Sequence, residues 1–289
     1  MNHTDTGAAR LHIRAAHAAD RPAVVAMVRT IWNGEDYIPE VWDAWLADGS
    51  GALLVGEVGG QPVALAKISA LGPGEDWFHG LRVDPARARQ GFGRAMMQRC
   101  IALAHKRGAR TLRYLTDSGN VTMHRMGREH GFRLVYEPAW YRAPRQPGGS
   151  LARPLAPTQI ERLQADLARS ALLAHTGKLY TYGWHTFDMT AERLREHLAH
   201  GQVYALPGAA AWAIVTPREE AGWWLAHAEG PPGELEQLCR DLCAAASAPA
   251  WALRTLLPPA APCMPALLAA GFAGPAEHMH VYELRLAEA

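Results

Sequence analysis

The chain has 289 residues, room for one large domain or two ordinary ones. Hydrophobic residues make up 49% and charged residues 20%, which excludes disorder as the main state. Lys+Arg is 29 against Asp+Glu 28, a net charge of +1 that excludes a chain-wide polycation gripping nucleic acid. No apolar run reaches membrane-span length, and residues 1–7 lack a basic start with an apolar stretch behind it. Cys100, Cys239, Cys243 and Cys263 form no CxxC pair and suit a reducing compartment. A cytoplasmic protein without membrane or nucleic-acid partners is expected. The 14 histidines are scattered away from carboxylate or cysteine clusters, so no metal is expected.

Residues 1–10 read as a disordered or extended N-terminus. Leu11–Arg14 alternates like a short strand, and Asp20 with Pro22 opens a helix whose apolar face is Val24, Val25, Met27, Val28 and Ile31. A second helix is expected over Pro39–Leu46. Strands follow at Ala52–Val58 and Pro62–Ala70 around a Gly59-Gly60 turn, then at Trp77–Val83. A glycine-containing loop leads into a helix over Arg94–Lys106, stopped by Gly108. Strand Thr111–Thr116, helix Val121–His130 and a strand pair over Phe132–Tyr141 complete the unit.

Residues 144–150 have linker composition, and the pattern restarts over residues 151–289. Strand-like Arg153–Leu155 precedes a helix capped by Thr158 and carrying Ile160, Leu163, Leu167 and Leu172, then one capped by Thr190. Strands Val203–Leu206, Ala210–Thr216 and Trp223–Ala228, helix Glu234–Ala246, strand Ala250–Leu256, helix Cys263–Ala270 and strand His278–Leu286 follow. Gly131-Phe132 and Gly271-Phe272 each close a helix. The chain therefore reads as two copies of one α+β unit, the first over residues 11–143.

The chemistry-bearing stretch runs from Leu81 to Ala95. A strand ends at Val83, Asp84-Pro85 turns the chain, and Gly91 and Gly93 stand where a helix begins. Glycine lets a backbone approach a ligand, and a helix start leaves N–H groups and a positive dipole end exposed. Together these cradle a diphosphate, and Arg82, Arg87, Arg89 and Arg94 add charge beside it. By alternation Trp77, His79, Leu81 and Val83 share one strand face, on which His79 is the titratable group. An alkyl amine must lose a proton before it can attack, and His79 is the candidate base.

Residues 11–142 resemble the GNAT N-acetyltransferase superfamily. The resemblance rests on Ile13-Arg14 with Asp20, on Val83-Asp84-Pro85 before Gln90-Gly91-Phe92-Gly93, on Asn120, and on Gly131-Phe132. It implies a mixed, partly splayed sheet with helices on both faces, and acetyl-CoA as cosubstrate. Amides from Gln90 through Gly91, Phe92, Gly93 and Arg94 to Ala95, with Arg89 beside them, would hold the pyrophosphate. The Leu81–Arg82–Val83 edge would pair with the pantetheine arm, and the Val83 amide would polarise the thioester carbonyl. Asn120 would bond the pantetheine, and Glu35, Asp36 and Tyr37 would line the acceptor side. The family commonly carries a tyrosine four residues before the closing Gly-Phe to protonate the departing thiolate. Here that position is Gly127, and His124, one turn earlier, is the substitute candidate.

In the second copy the equivalent loop reads Glu229-Gly230-Pro231-Pro232-Gly233-Glu234. Two prolines remove two N–H donors, and two carboxylates repel phosphate. This copy is expected to keep the fold without the cradle, its tryptophans packing a core. The expected activity is acetyl transfer from acetyl-CoA to a small-molecule amine by direct attack in a ternary complex, by a monomer or homodimer. The alternatives are acetylation of a protein or peptide, a non-catalytic CoA-binding or sensing module, and a structural partner that no longer binds CoA.

Overall fold

The computed structural model describes residues 10–216, 222–246 and 251–286. The expectation for residues 1–9 and the opening residue of the strand expected at Ala250 lie outside them. The strands β1 (His12–Ala15), β2 (Ala52–Val58), β3 (Gln61–Gly72) and β4 (Glu75–Val83) are antiparallel neighbours, and β2, β3 and β4 each carry a continuous buried run. Between the first two strands lie α1 (Arg21–Val28) and α2 (Ile38–Ala47). Their buried side chains Val24, Val28, Ile38 and Trp42 pack with Leu53, Val55 and Leu65 of the sheet. Asp20 stands at the N-cap position of α1 as expected, but its side chain caps no N–H of that helix. Its carboxylate accepts the His17 N–H at 2.7 Å and both ends of the Arg14 guanidinium at 2.7 and 2.8 Å, so the stronger charge-assisted partners win.

Next come α3 (Phe92–Lys106), β5 (Thr111–Asp117), α4 (Val121–Glu129), β6 (Arg133–Tyr136) and β7 (Ala139–Ala143). The α3 helix lies on β3 and β4 through buried Phe92, Met96, Met97 and Cys100. The β4 and β5 strands run parallel but pair only from Glu75↔Thr111 to Trp77↔Arg113. Beyond that fork, β4 from Phe78 onward has, among the described residues, a strand partner on its β3 side alone. At the paired end, Arg113 donates to Glu75 at 3.0 Å and Glu283 at 2.7 Å, all three side chains nearly buried. Lys67, fully buried, reaches Asp48 at 2.5 Å. Burial opposes ionisation of Asp48, but the bonds from Lys67 and Ser50 win and bring its carboxyl down to about 2.

The second half supplies β8 (Arg153–Pro154), α5 (Ile160–Ala168), α6 (Ala171–His175), β9 (Leu179–Tyr182), β10 (His185–Asp188), α7 (Ala191–Ala199), β11 (Val203–Ala205), β12 (Trp212–Thr216), β13 (Trp223–Glu229), α8 (Pro232–Ala245), β14 (Leu253–Leu257), α9 (Met264–Ala269) and β15 (Met279–Arg285). Thr190 caps α7, accepting the Arg193 N–H at 3.2 Å. Thr158 caps nothing: a 3-10 turn over Pro157–Gln159 precedes α5, and Leu172 sits on α6, a separate short helix capped by Ser170. The β9–β10 hairpin was not expected. The β13 and β14 strands repeat the parallel fork, pairing only at Trp223↔Leu253 and Trp224↔Arg254.

The sheets have the orders β1-β2-β3-β4-β5-β15-β6 and β7-β14-β13-β12-β11-β8. The expected strand pair over Phe132–Tyr141 is therefore two strands in different sheets. Glu137 and Pro138 join them, and Pro138 has no N–H to pair. The chain forms two units, Met1–Tyr114 with His124–Arg133 and Glu283–Ala289, and Leu115–Met123 with Leu134–Tyr282. The linear order of the halves is thus not the order of the units, because terminal strands change sheets.

Candidate active site

A bulge sets the site on β4. His79 lies opposite Lys67 and Arg82 opposite Leu65, so Gly80 and Leu81 together face Ala66. Gly80 has φ +66°, and a Cβ there would run into the Trp45 ring. The extra residue reverses the alternation. Trp77, His79 and Arg82 lie on the side of α1 and α2, with Ser69, Lys67 and Leu65. Leu81 and Val83 lie beneath α3, where a Cβ on Gly93 would stand 3.9 and 3.6 Å from them. The single face expected for Trp77, His79, Leu81 and Val83 is thereby corrected. A lone glycine inside a strand pattern was the available signal.

Past Val83, Asp84 accepts the Ala86 N–H at 2.9 Å and fixes a 3-10 turn over Pro85–Arg87. Arg89 (φ +62°) and Gly91 (φ +82°) then turn the chain into α3. The first intrahelical bond runs from the Ala95 N–H to the Gly91 carbonyl at 3.0 Å. The N–H groups of Phe92, Gly93 and Arg94 precede that ladder and lie at the positive end of a 15-residue helix. A Cβ on Gly91 would meet nothing within 4 Å, so its glycine is a matter of backbone conformation. Gln90 is exposed, and exposed Arg87 and Arg89 pair with no carboxylate among the described residues. This donor set fits a diphosphate. Two expected charges lie elsewhere: Arg94 pairs with Glu129 at 2.5 Å, and Arg82 turns to the other sheet face.

On that face Arg82 donates to Asp36 at 2.6 Å, with the carboxylate 1% exposed, and to the Leu81 carbonyl at 3.0 Å. Its guanidinium lies 4.2 Å from the Trp32 ring and 5.2 Å from that of Tyr37. Asp36 also accepts the Ile38 N–H at 3.0 Å, holding the start of α2. An aromatic row follows from Trp32 through Tyr37 and Trp45 to His79, with centroids 6.2, 5.9 and 4.6 Å apart. Trp32 is exposed in a left-handed conformation, φ +46°, strained for so bulky a residue. Burial pushes the Tyr37 phenol up. Half-buried His79 has its Nε2 3.0 Å from the Ser69 hydroxyl. Of the acceptor residues expected, Glu35 is exposed, Asp36 is committed to Arg82, and Tyr37 belongs to the row. Sequence reasoning missed Trp32, Trp45 and Ser69, which lie far apart along the chain and meet only through the sheet register.

On α4, His124 is buried, not solvent-facing. Gly127 has a packing reason: a Cβ there would collide with the hydroxyl of Tyr114, which comes up from β5. The exposed Asn120 accepts the Met123 N–H at 3.1 Å and donates to Thr116 at 3.1 Å, so its amide serves the start of α4.

The second unit's loop differs as its prolines imply. Pro231 is the N-cap of α8 and Pro232 its first residue, and the ladder begins with the Leu235 N–H to the Pro231 carbonyl. Only Gly233 and Glu234 offer earlier helical N–H groups. The Glu234 carboxylate accepts the Ala210 and Ala211 N–H groups at 2.6 and 3.0 Å. Glu229 accepts the Ser170 hydroxyl. Beyond the β13–β14 fork, the Tyr136 hydroxyl donates to the Leu256 carbonyl at 3.0 Å. Trp212 and Trp224 are fully buried, and Trp184 packs on Trp140 and Trp224.

Residues 19–132 match the acetyltransferase (GNAT) family. A histidine N-acetyltransferase from Oreochromis niloticus is 28% identical over 100 residues, covering 34% of this chain and 30% of the relative. The chain thus spans less than a third of that curated relative. A solved GCN5-related N-acetyltransferase from Sphaerobacter thermophilus has TM-score 0.63 and 15% identity, covering 95% of each chain. A solved protein of Pyrococcus horikoshii has TM-score 0.61 and 13% identity, covering 96% of this chain and 90% of its own. These structural likenesses carry the mixed α+β fold over both sheets. Residues 19–132, the segment that holds the β4 bulge and the start of α3, are thus similar to the acetyltransferases of the GNAT family.

Proposed function

We propose that the first unit transfers an acetyl group from acetyl-CoA to the amine of a small molecule, and that the second unit keeps the fold without binding CoA. The observation that carries this reading is the conjunction of two main-chain features. The N–H groups at the start of α3 form an anion cradle, and β4 beyond its fork has, among the described residues, no strand on its β5 side. The α8 end has fewer donors and carboxylates in their place. Direct attack in a ternary complex follows from the thiols. All four cysteines are buried, and burial pushes the nearest to the cradle, Cys100, up to about 12. A thiol in that state does not carry an acyl group.

The acceptor enters on the Arg82 face. His79, held by Ser69 and Trp45, takes the proton of the attacking amine. The row of flat rings supports a compact amine with a planar side group, and an α-amino acid is the proposed class, as histidine is for the Oreochromis niloticus relative. Acetyl-CoA at about 100 times its Kd should add about 2.7 kcal/mol to stability, read as a rise in Tm. Thiol release across a panel of amino acids, polyamines and N-terminal peptides then names the acceptor class. A rise with release confined to small amines is expected. A rise without release from any amine supports a sensing module instead, and no rise at millimolar acetyl-CoA overturns the reading.

A further inference from the structure

We infer that the hydroxyl of Tyr114, entering from β5, is the group that protonates the departing thiolate, and that Gly127 is glycine to admit it. The inference rests on the acetyl-CoA reading above. Tyr114 is the first β5 residue beyond the last pair with β4, Trp77↔Arg113, so it stands where the two strands part. Its ring meets Phe78, the first β4 residue past the same fork, edge-on at 6.1 Å, and Phe132 at 5.0 Å. The side chain is 1% exposed, and its hydroxyl fills the space a side chain at position 127 would need. Met126, beside Gly127, lies with its sulfur 3.9 Å from where a Cβ on Gly93 would stand. The hydroxyl, the α4 helix and the cradle are therefore contiguous on the α3 side of the sheet.

The chemistry asks for such a group. As the amine nitrogen bonds the carbonyl carbon, the carbon–sulfur bond breaks and its electron pair goes to sulfur. In a closed cleft a thiolate lacks solvating water, and a phenol in reach supplies the proton. The amine gives up one proton to His79, which passes it to solvent, and Tyr114 recovers one from solvent, so that the products are an amide and a free thiol and both side chains return to their starting states. Phe78 and Phe132 hold the ring, and a phenylalanine at 114 keeps that packing while losing the proton.

The test compares wild type, Tyr114→Phe, and the exchange Tyr114→Ala with Gly127→Tyr, using acetyl-CoA and the best amine of the panel. Tyr114→Phe is expected to lower kcat about 100-fold with KM for acetyl-CoA within about twofold. The deficit should shrink with an acyl donor whose thiol is more acidic, since such a leaving group needs less proton transfer. The exchange should recover part of kcat. Turnover of Tyr114→Phe equal to wild type, or a deficit blind to the leaving group, overturns this assignment alone. A wild-type protein that neither binds acetyl-CoA nor releases thiol overturns the reading on which it rests.

Discussion

Arg113→Ala is expected to lower the free energy of unfolding by about 3–5 kcal/mol in a urea titration. The side chain is 2% exposed, and its two carboxylate partners, Glu75 and Glu283, are 10% and 6% exposed. Removing the cation leaves two buried carboxylates close together, with the exposed Arg285, 2.9 Å from Glu283, as the remaining cation. Replacing all three residues by apolar ones of similar volume should recover most of it, because a buried ion pair stabilises little over a packed apolar set. A change below about 1 kcal/mol would mean that solvent reaches the triad.

Gly91→Val should weaken acetyl-CoA binding by about 100-fold, about 2.7 kcal/mol, while the ligand-free protein loses no more than the strain of one left-handed residue, about 1–2 kcal/mol. Gly91 has φ +82°, which a β-branched residue adopts only under strain, so valine turns the N-cap and moves the Phe92, Gly93 and Arg94 donors. No protein atom lies within 4 Å of the new Cβ, so the penalty appears at the ligand. The matched control is Gly233→Val in the first turn of α8, where a Cβ also has nothing within 4 Å. It should leave affinity unchanged. Gly230 is unsuitable as a control, because a Cβ there collides with the Ala211 backbone and would disturb the fold itself.

Much of the first unit is legible in the chain. Ala52–Val58 is a strand over the very residues that its apolar run before Gly59-Gly60 marks, and β4 ends at Val83 where Asp84-Pro85 turns it. Those signals are local, so a short window carries them. The second unit's β9–β10 hairpin was equally local: Leu-Tyr-Thr-Tyr, then Gly183-Trp184, then His-Thr-Phe-Asp alternates about a two-residue turn, but its many polar residues hide the pattern. What composition cannot show is register. The bulge at Gly80 decides that Arg82 joins His79 and leaves the phosphate side, and it takes effect only through pairing with β3. Gly127 read as a lost side chain, whereas Tyr114, 13 positions earlier, occupies its space. Strand exchange between the sheets is likewise invisible to any window shorter than the chain.

Hydrogen exchange with and without acetyl-CoA measures the two helix starts in one experiment. Peptides covering Phe78–Ala95 should slow strongly on adding acetyl-CoA, as the β4 edge and the α3 amides gain an acceptor, while peptides covering Glu229–Gln237 keep their rates. Slowing at the start of α8, or none at the start of α3, would contradict the assignment of acetyl-CoA to the first unit.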